Sequence, residues 1–246
     1  RVSARRRAAA RAVSAPALSV ALFDSEHGVN VSARSGATLL FNGASTEVRA
    51  EGPRIDSTRK GWEAELGEDF SVKLEPLSEP AALDSVNVNV CAVSGRIGGR
   101  RVKCLGTLSE TVRPPEWEEL DALRSVSALF DRDNAFLAIV RRPRGAVGHG
   151  GDEVSAWLLS DGEPAELSET RLSTVYDGEG HQRSAGLELW SPGEDVPRRG
   201  SGTVAAGTSL AMEGLAVNVA VFRWRLEDHE GAGAYELWLR SDPEPA

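Results

Sequence analysis

The sequence predicts an all-β, antiparallel protein built as barrels or sandwiches, and three observations carry that expectation. Short runs of alternating apolar residues, closed by turn signals, recur roughly every eight to twelve residues. The 25 glycines and 12 prolines suit a chain with many tight turns. Helical character is confined to one stretch: after Pro114-Pro115, Glu116 to Leu123 has early acids and a Leu120/Leu123 spacing that predicts a short helix.

The chain opens on RVSARRRAAARAVSAPALSV, with Arg-rich spacing and no acid, which reads as a disordered basic tail over residues 1–17. No continuous apolar segment follows it, so a secretory signal is not expected. The missing initiator Met points to a fragment, a trimmed chain or a mis-assigned start. Leu18 to Phe23 is the first strand, followed by Val29 to Ala33 and Ala37 to Phe41. Asn42-Gly43 is a strong hairpin signal, with Thr46 to Ala50 as the return strand. Gly61 to Leu66 and Phe70 to Leu74 make a further pair around Gly67-Glu68-Asp69.

The centre of the chain is Asp84 to Glu110. Val86, Val88 and Val90 alternate with Asn87, Asn89 and Cys91, the period-two signature of a strand with one drier face. Gly98-Gly99 supplies two residues free to take positive φ, so a two-residue loop is expected. That register sets Ile97 opposite Arg100 and Val93 opposite Cys104, leaving Cys91 and Cys104 diagonal, a poor disulfide geometry. Beyond the short helix, Val126 to Phe130 and Ala135 to Arg141 resume strand character, and the Gly-rich loop Pro143 to Glu153 reads as mobile. Val154 to Leu159, Leu172 to Tyr176, Gly186 to Trp190, Thr203 to Ala206, Leu215 to Leu226 and Ala234 to Arg240 complete the strands. Residues 241–246 read as a frayed end.

Composition excludes several functions. A net charge of −9 argues against nonspecific nucleic-acid binding. Two cysteines are too few for a disulfide scaffold and suit a reducing, cytoplasmic compartment. No apolar run is long enough to predict a transmembrane segment. His27, His149, His181 and His229 sit in turns without ligand spacing, so no metal is expected. Gly200 to Ala205 matches a dinucleotide-loop pattern, but SPGEDVPRR precedes it where a buried strand is required; no cofactor is expected. No nucleophile elbow is present.

The remaining candidates are carboxylates and aromatics. Glu110 and Glu236 lie beside or within strands with apolar or aromatic neighbours, where desolvation would raise a carboxyl pKa toward general-acid work; the alternative is an outward-facing strand carboxylate. Trp117, Trp157, Phe222, Trp224, Tyr235 and Trp238 either line an apolar ligand cavity or fill the core.

The stretches CAVSGRIGGRRVKCLG, then Trp117, then VFRWRLEDHEGAGAYEL resemble the AttH-like lipocalin-type proteins, which include carotenoid 1,2-hydratase (hydroxyneurosporene synthase). The resemblance implies two consecutive lipocalin-like domains, at residues 18–110 and 111–240. It also implies an apolar cavity for an isoprenoid or steroid-like molecule, and hydration or isomerisation of a double bond. Glu110 or Glu236 would then supply the proton, and the tryptophans would stabilise developing positive charge. Gly106 to Glu110 lacks the His and Trp-Gly of the family's pattern, which sets a non-catalytic carrier beside the enzyme reading. A third possibility is a filled-core β domain that mediates protein interactions.

Overall fold

The structure, a computed structural model, describes residues 17–43, 45–147, 149–212 and 214–240. The expected basic tail (Ala17 apart) and the expected frayed end lie outside the described residues.

Strands dominate, in two antiparallel sheets that each curl into a half-barrel. The first contains β1 (Ala17–Asp24), β2 (Val29–Arg34), β3 (Ala37–Asn42), β4 (Ser45–Arg49), β5 (Arg54–Thr58), β6 (Gly61–Leu66), β7 (Phe70–Pro76), β8 (Ala81–Leu83), β9 (Val86–Ile97) and β10 (Arg100–Thr111). The second contains β11 (Leu120–Leu129), β12 (Ala135–Pro143), β13 (Glu153–Ser160), β14 (Glu163–Ala165), β15 (Glu169–Tyr176), β16 (Gln182–Trp190), β17 (Arg198–Met212), β18 (Leu215–Leu226) and β19 (His229–Arg240). The first sheet runs β4-β3-β2-β1-β10-β9-β7-β6-β5, with β8 added to β9; the second runs β14-β13-β12-β11-β19-β18-β17-β16-β15. The two halves therefore follow one path twice. In each, a four-strand meander turns its first strand onto the half's last strand.

Alternation along the strands builds three apolar layers, because successive side chains point to opposite faces. Val20, Leu22, Val31, Leu74, Val93 and Leu108 fill the first half-barrel. Ala128, Phe136, Leu187, Phe222, Trp224 and Tyr235 fill the second. Phe23, Phe41, Val90, Leu137, Val217 and Val219, drawn from both halves, form the layer between the sheets. Each buried Val, Leu or Phe among them contributes about 1.5–3 kcal/mol.

The central hairpin folds as its sequence predicts. Ile97 pairs Arg100 and Val93 pairs Cys104, while Gly98 and Gly99 take φ of 54° and 78°. Strands add on both sides, β1 to β10 and β7 with β8 to β9. Both cysteines are free, and burial pushes each thiol up to about 12.

Two local expectations are corrected. The helix over Glu116 to Leu123 is absent: the Glu119 N–H closes a turn on the Glu116 carbonyl at 2.9 Å, and from Leu120 the chain is β11. Pairing with both β12 and β19 satisfies the β11 backbone on two edges, which outweighs a weak helical propensity. The early hairpin turns one residue later than the Asn-Gly signal, since Asn42 pairs Ser45 and Gly43 opens the loop. In the Gly-rich loop after β12, Arg142 donates to the Ala146 carbonyl at 3.2 Å, and the Gly145 N–H donates to Asp121 at 3.0 Å. Asp152, at its far end, accepts from Arg124 at 2.8 Å. Strands β5, β8 and β14 carry too little apolar alternation to be foreseen.

Candidate functional site

A cavity of about 480 Å³ lies between the two sheets, walled by β1, β2 and β10 on one side and by β11, β12 and β19 on the other. Its volume falls within the range of small-molecule sites. Leu83, Val88, Leu123, Leu137, Ile139 and Leu215 supply its apolar lining.

One polar constellation crosses the cavity wall from half to half. On β2, Ser32 and Arg34 stand two residues apart and so share a face; on β19, Glu236 and Trp238 do the same. Arg34 Nη2 and Ser32 Oγ both donate to Glu236 Oε1, Ser32 at 2.9 Å. Trp238 Nε1 donates to the other oxygen, Oε2, at 3.2 Å. Arg34 also donates to Ser32 Oγ at 3.1 Å and stacks over the Trp238 ring at 4.7 Å from its centroid. The Arg34 and Glu236 side chains are 18% and 13% exposed. Burial alone would push the Glu236 carboxyl up, but the charge of Arg34 and the bonds from Arg34, Ser32 and Trp238 together outweigh it. The carboxyl therefore sits below its ordinary value. This reverses the direction expected from desolvation: at neutral pH the group is an ion-paired carboxylate, not an acid.

The structure separates the other candidates. Glu110 is half-buried on the opposite face of β10 from Thr107, Ser109 and Thr111, which line the cavity, and it does not meet Glu236. Trp117, in the linker after β10, lines the cavity, and its carbonyl accepts from Arg240 at 3.2 Å. Trp157 packs on the inter-sheet layer away from the cavity lining. Phe222, Trp224 and Tyr235 belong to the core of the second half-barrel, with Phe222 5.2 Å from Trp224 and 5.5 Å from Tyr235 between ring centroids. The Tyr235 hydroxyl bonds Thr174 at 2.7 Å, and burial pushes its phenol up. Tyr235 and Glu236, adjacent in sequence, thus serve different layers.

Sequence reading missed Ser32 and Arg34. The first predicted strand after the N-terminal one stopped at Ala33, and an arginine before Ser35-Gly36 looks like a solvated turn residue. Extending the alternation one step would have set Arg34 on the face of Ser32. The buried Arg124–Asp152 pair was missed likewise; its side chains are 10% and 8% exposed, and it ties β11 to the loop before β13. Among the described residues no group of three or more His, Cys, Asp or Glu is arranged to hold a metal. Among the described residues no helix is long and apolar enough to cross a membrane.

No protein-family model matches the sequence, and no curated protein does. Solved structures share the fold. A protein of Nitrosomonas europaea assigned as AttH matches with a TM-score of 0.60 at 12% identity, over 92% of this chain and 91% of that one. Kievitone hydratase from Nectria haematococca matches with a TM-score of 0.56 at 8% identity, over 92% of this chain and 89% of that one. The chain therefore has the AttH-type fold, with lipocalin-like half-barrels in tandem.

Proposed function

We propose that this protein takes up a hydrophobic small molecule, isoprenoid or steroid-like, in the cavity between its sheets, and that Glu236 does acid/base work on it. The observation that carries this reading is a carboxylate, only 13% exposed, fixed by donors from both halves at the wall of an apolar cavity. Such positioning is what proton transfer to a bound substrate requires. The likeness to a protein named as a hydratase gives further support at the level of fold.

The ionised state assigns Glu236 the base step first. In hydration it takes a proton from water as the water oxygen bonds to one alkene carbon, then returns that proton to the adjacent carbon. In isomerisation it takes the proton from one carbon and returns it to another. Either cycle leaves the carboxylate as it began. In both cycles the substrate develops negative charge, which the cation–π contact expected of the tryptophans does not stabilise; the Trp238 face carries Arg34, and Trp117 serves as cavity wall. Glu110 has no part in this reading. The domain division at residues 18–110 and 111–240 fits a two-walled cavity, and two free thiols fit a cytoplasmic setting.

A second reading has its own support. Both Glu236 oxygens are already engaged by protein donors, as in a carboxylate that only clasps the halves of a carrier together. Tryptophan-fluorescence titration with isoprenoids and steroids, with product analysis of each mixture, separates the two. Saturable quenching with product, and a loss of turnover of about a hundredfold or more in Glu236→Gln but not Glu110→Gln, is the enzyme's signature. Quenching without product identifies the carrier. Unchanged turnover in Glu236→Gln removes the carboxylate from the chemistry.

A further inference from the structure

The cavity is not uniformly apolar, and its polar atoms are ordered. On the β10 wall, Thr107, Ser109 and Thr111 face inward in succession. The register continues this into rows across the sheet. Arg34 lies opposite Ser19, and Ser19 opposite Ser109; Ser32 lies opposite Ala21, and Ala21 opposite Thr107. Cross-strand neighbours of this kind stand about 5 Å apart. On the facing wall, Ser125 is the β11 partner of Glu236. The hydroxyls of Ser19, Thr107, Ser109, Thr111 and Ser125 have no hydrogen-bond partner among the described residues, yet all five residues line the cavity. Ser32 and Ser127, by contrast, are committed, to Glu236 at 2.9 Å and to the Ala234 N–H at 3.0 Å.

We infer that the ligand is facially amphipathic: a compact, largely apolar skeleton with several hydroxyl or carbonyl oxygens along one face, seated with that face on β1 and β10. This rests on the cavity being the ligand site. A bare hydrocarbon filling the space would strip the row of hydroxyls of any partner, and burying a polar group unpaired costs more than a hydrogen bond gains. Sites built to hydrogen-bond a ligand discriminate strongly against the analogue that lacks the oxygens. Leucine, isoleucine and valine on the other surfaces fit the skeleton. The spacing of the row matches oxygens borne on neighbouring rings better than a single terminal group.

The test is a fluorescence titration of the full chain with neutral, saturated androstane, a monohydroxy derivative and a trihydroxy derivative bearing its hydroxyls on one face. We expect the triol to bind about tenfold or more tighter than androstane, since two or three neutral hydrogen bonds supply that much. In Thr107→Val/Ser109→Ala the preference should fall to within about twofold, with Ser109→Ala alone intermediate; β-branched Val suits a strand and protects the fold. Equal or weaker saturable binding of the triol overturns the inference and leaves the cavity reading standing. A preference undiminished in the double variant overturns the role of these hydroxyls. Saturable binding of none of the three overturns both.

Discussion

Arg34 decides what Glu236 is. In the native protein the carboxyl is held below its ordinary value, so its ion pair stabilises the fold above the unfolded carboxyl pKa of about 4. That contribution is lost as pH falls through the depressed native value. Replacing Arg34 by Gln removes the charge and the bond that chiefly oppose desolvation, so the native carboxyl rises and the ionised form loses its main stabilising partner at neutral pH. Arg34→Gln should cost about 3 kcal/mol at pH 7, the low end for a broken buried pair because both side chains keep some exposure. The deficit should shrink on acidification below the carboxylate range. Urea unfolding of both proteins across pH measures this; a deficit independent of pH would show that Arg34 does not govern Glu236.

At the level of single strands, close backbone approach sets the strictest demands. A Cβ on Gly233 would lie 1.8 Å from the Ser127 carbonyl oxygen of β11. The β11–β19 pairing is interrupted here but keeps its register, with Val126 opposite Tyr235 and Leu129 opposite Ala232. Gly233→Ala should destabilise by about 3 kcal/mol, because backbone and not a flexible side chain must give way; thermal unfolding checks it. The strands were legible where alternation was clean, as in the hairpin of β9 and β10, where turn chemistry also fixed the register. They were illegible where pairing overrode local preference, as at Leu120, and where a bulge changed the period. On β17 Val204 packs into the second half-barrel and Ala206 into the inter-sheet layer, so one alternation cannot describe both ends of the strand. Glu236 could be singled out, since it is a carboxylate in a strand with aromatic neighbours. Its partners could not, because their proximity to it is a product of the sheet order and leaves no mark on local sequence.

For the molecule as a whole, the layer between the sheets matters most. Phe23, Phe41 and Val90 from the first half pack there with Leu137, Val217 and Val219 from the second. An apolar interface of this kind couples halves that share one strand order. Urea unfolding followed by tryptophan fluorescence and by near-ultraviolet circular dichroism should give one coincident transition; two separated midpoints would mean independent halves. The same layout has a temporal consequence during synthesis. Arg34 and Glu236 lie 202 positions apart in sequence, and β19 both closes the second sheet against β11 and delivers the carboxylate. A nascent chain can complete the first sheet on leaving the ribosome, while its arginine waits for a counter-ion not yet translated. Ribosomes that terminate short of β19 release a chain with an open sheet edge and an unneutralised guanidinium, the kind of exposed surface on which quality control acts.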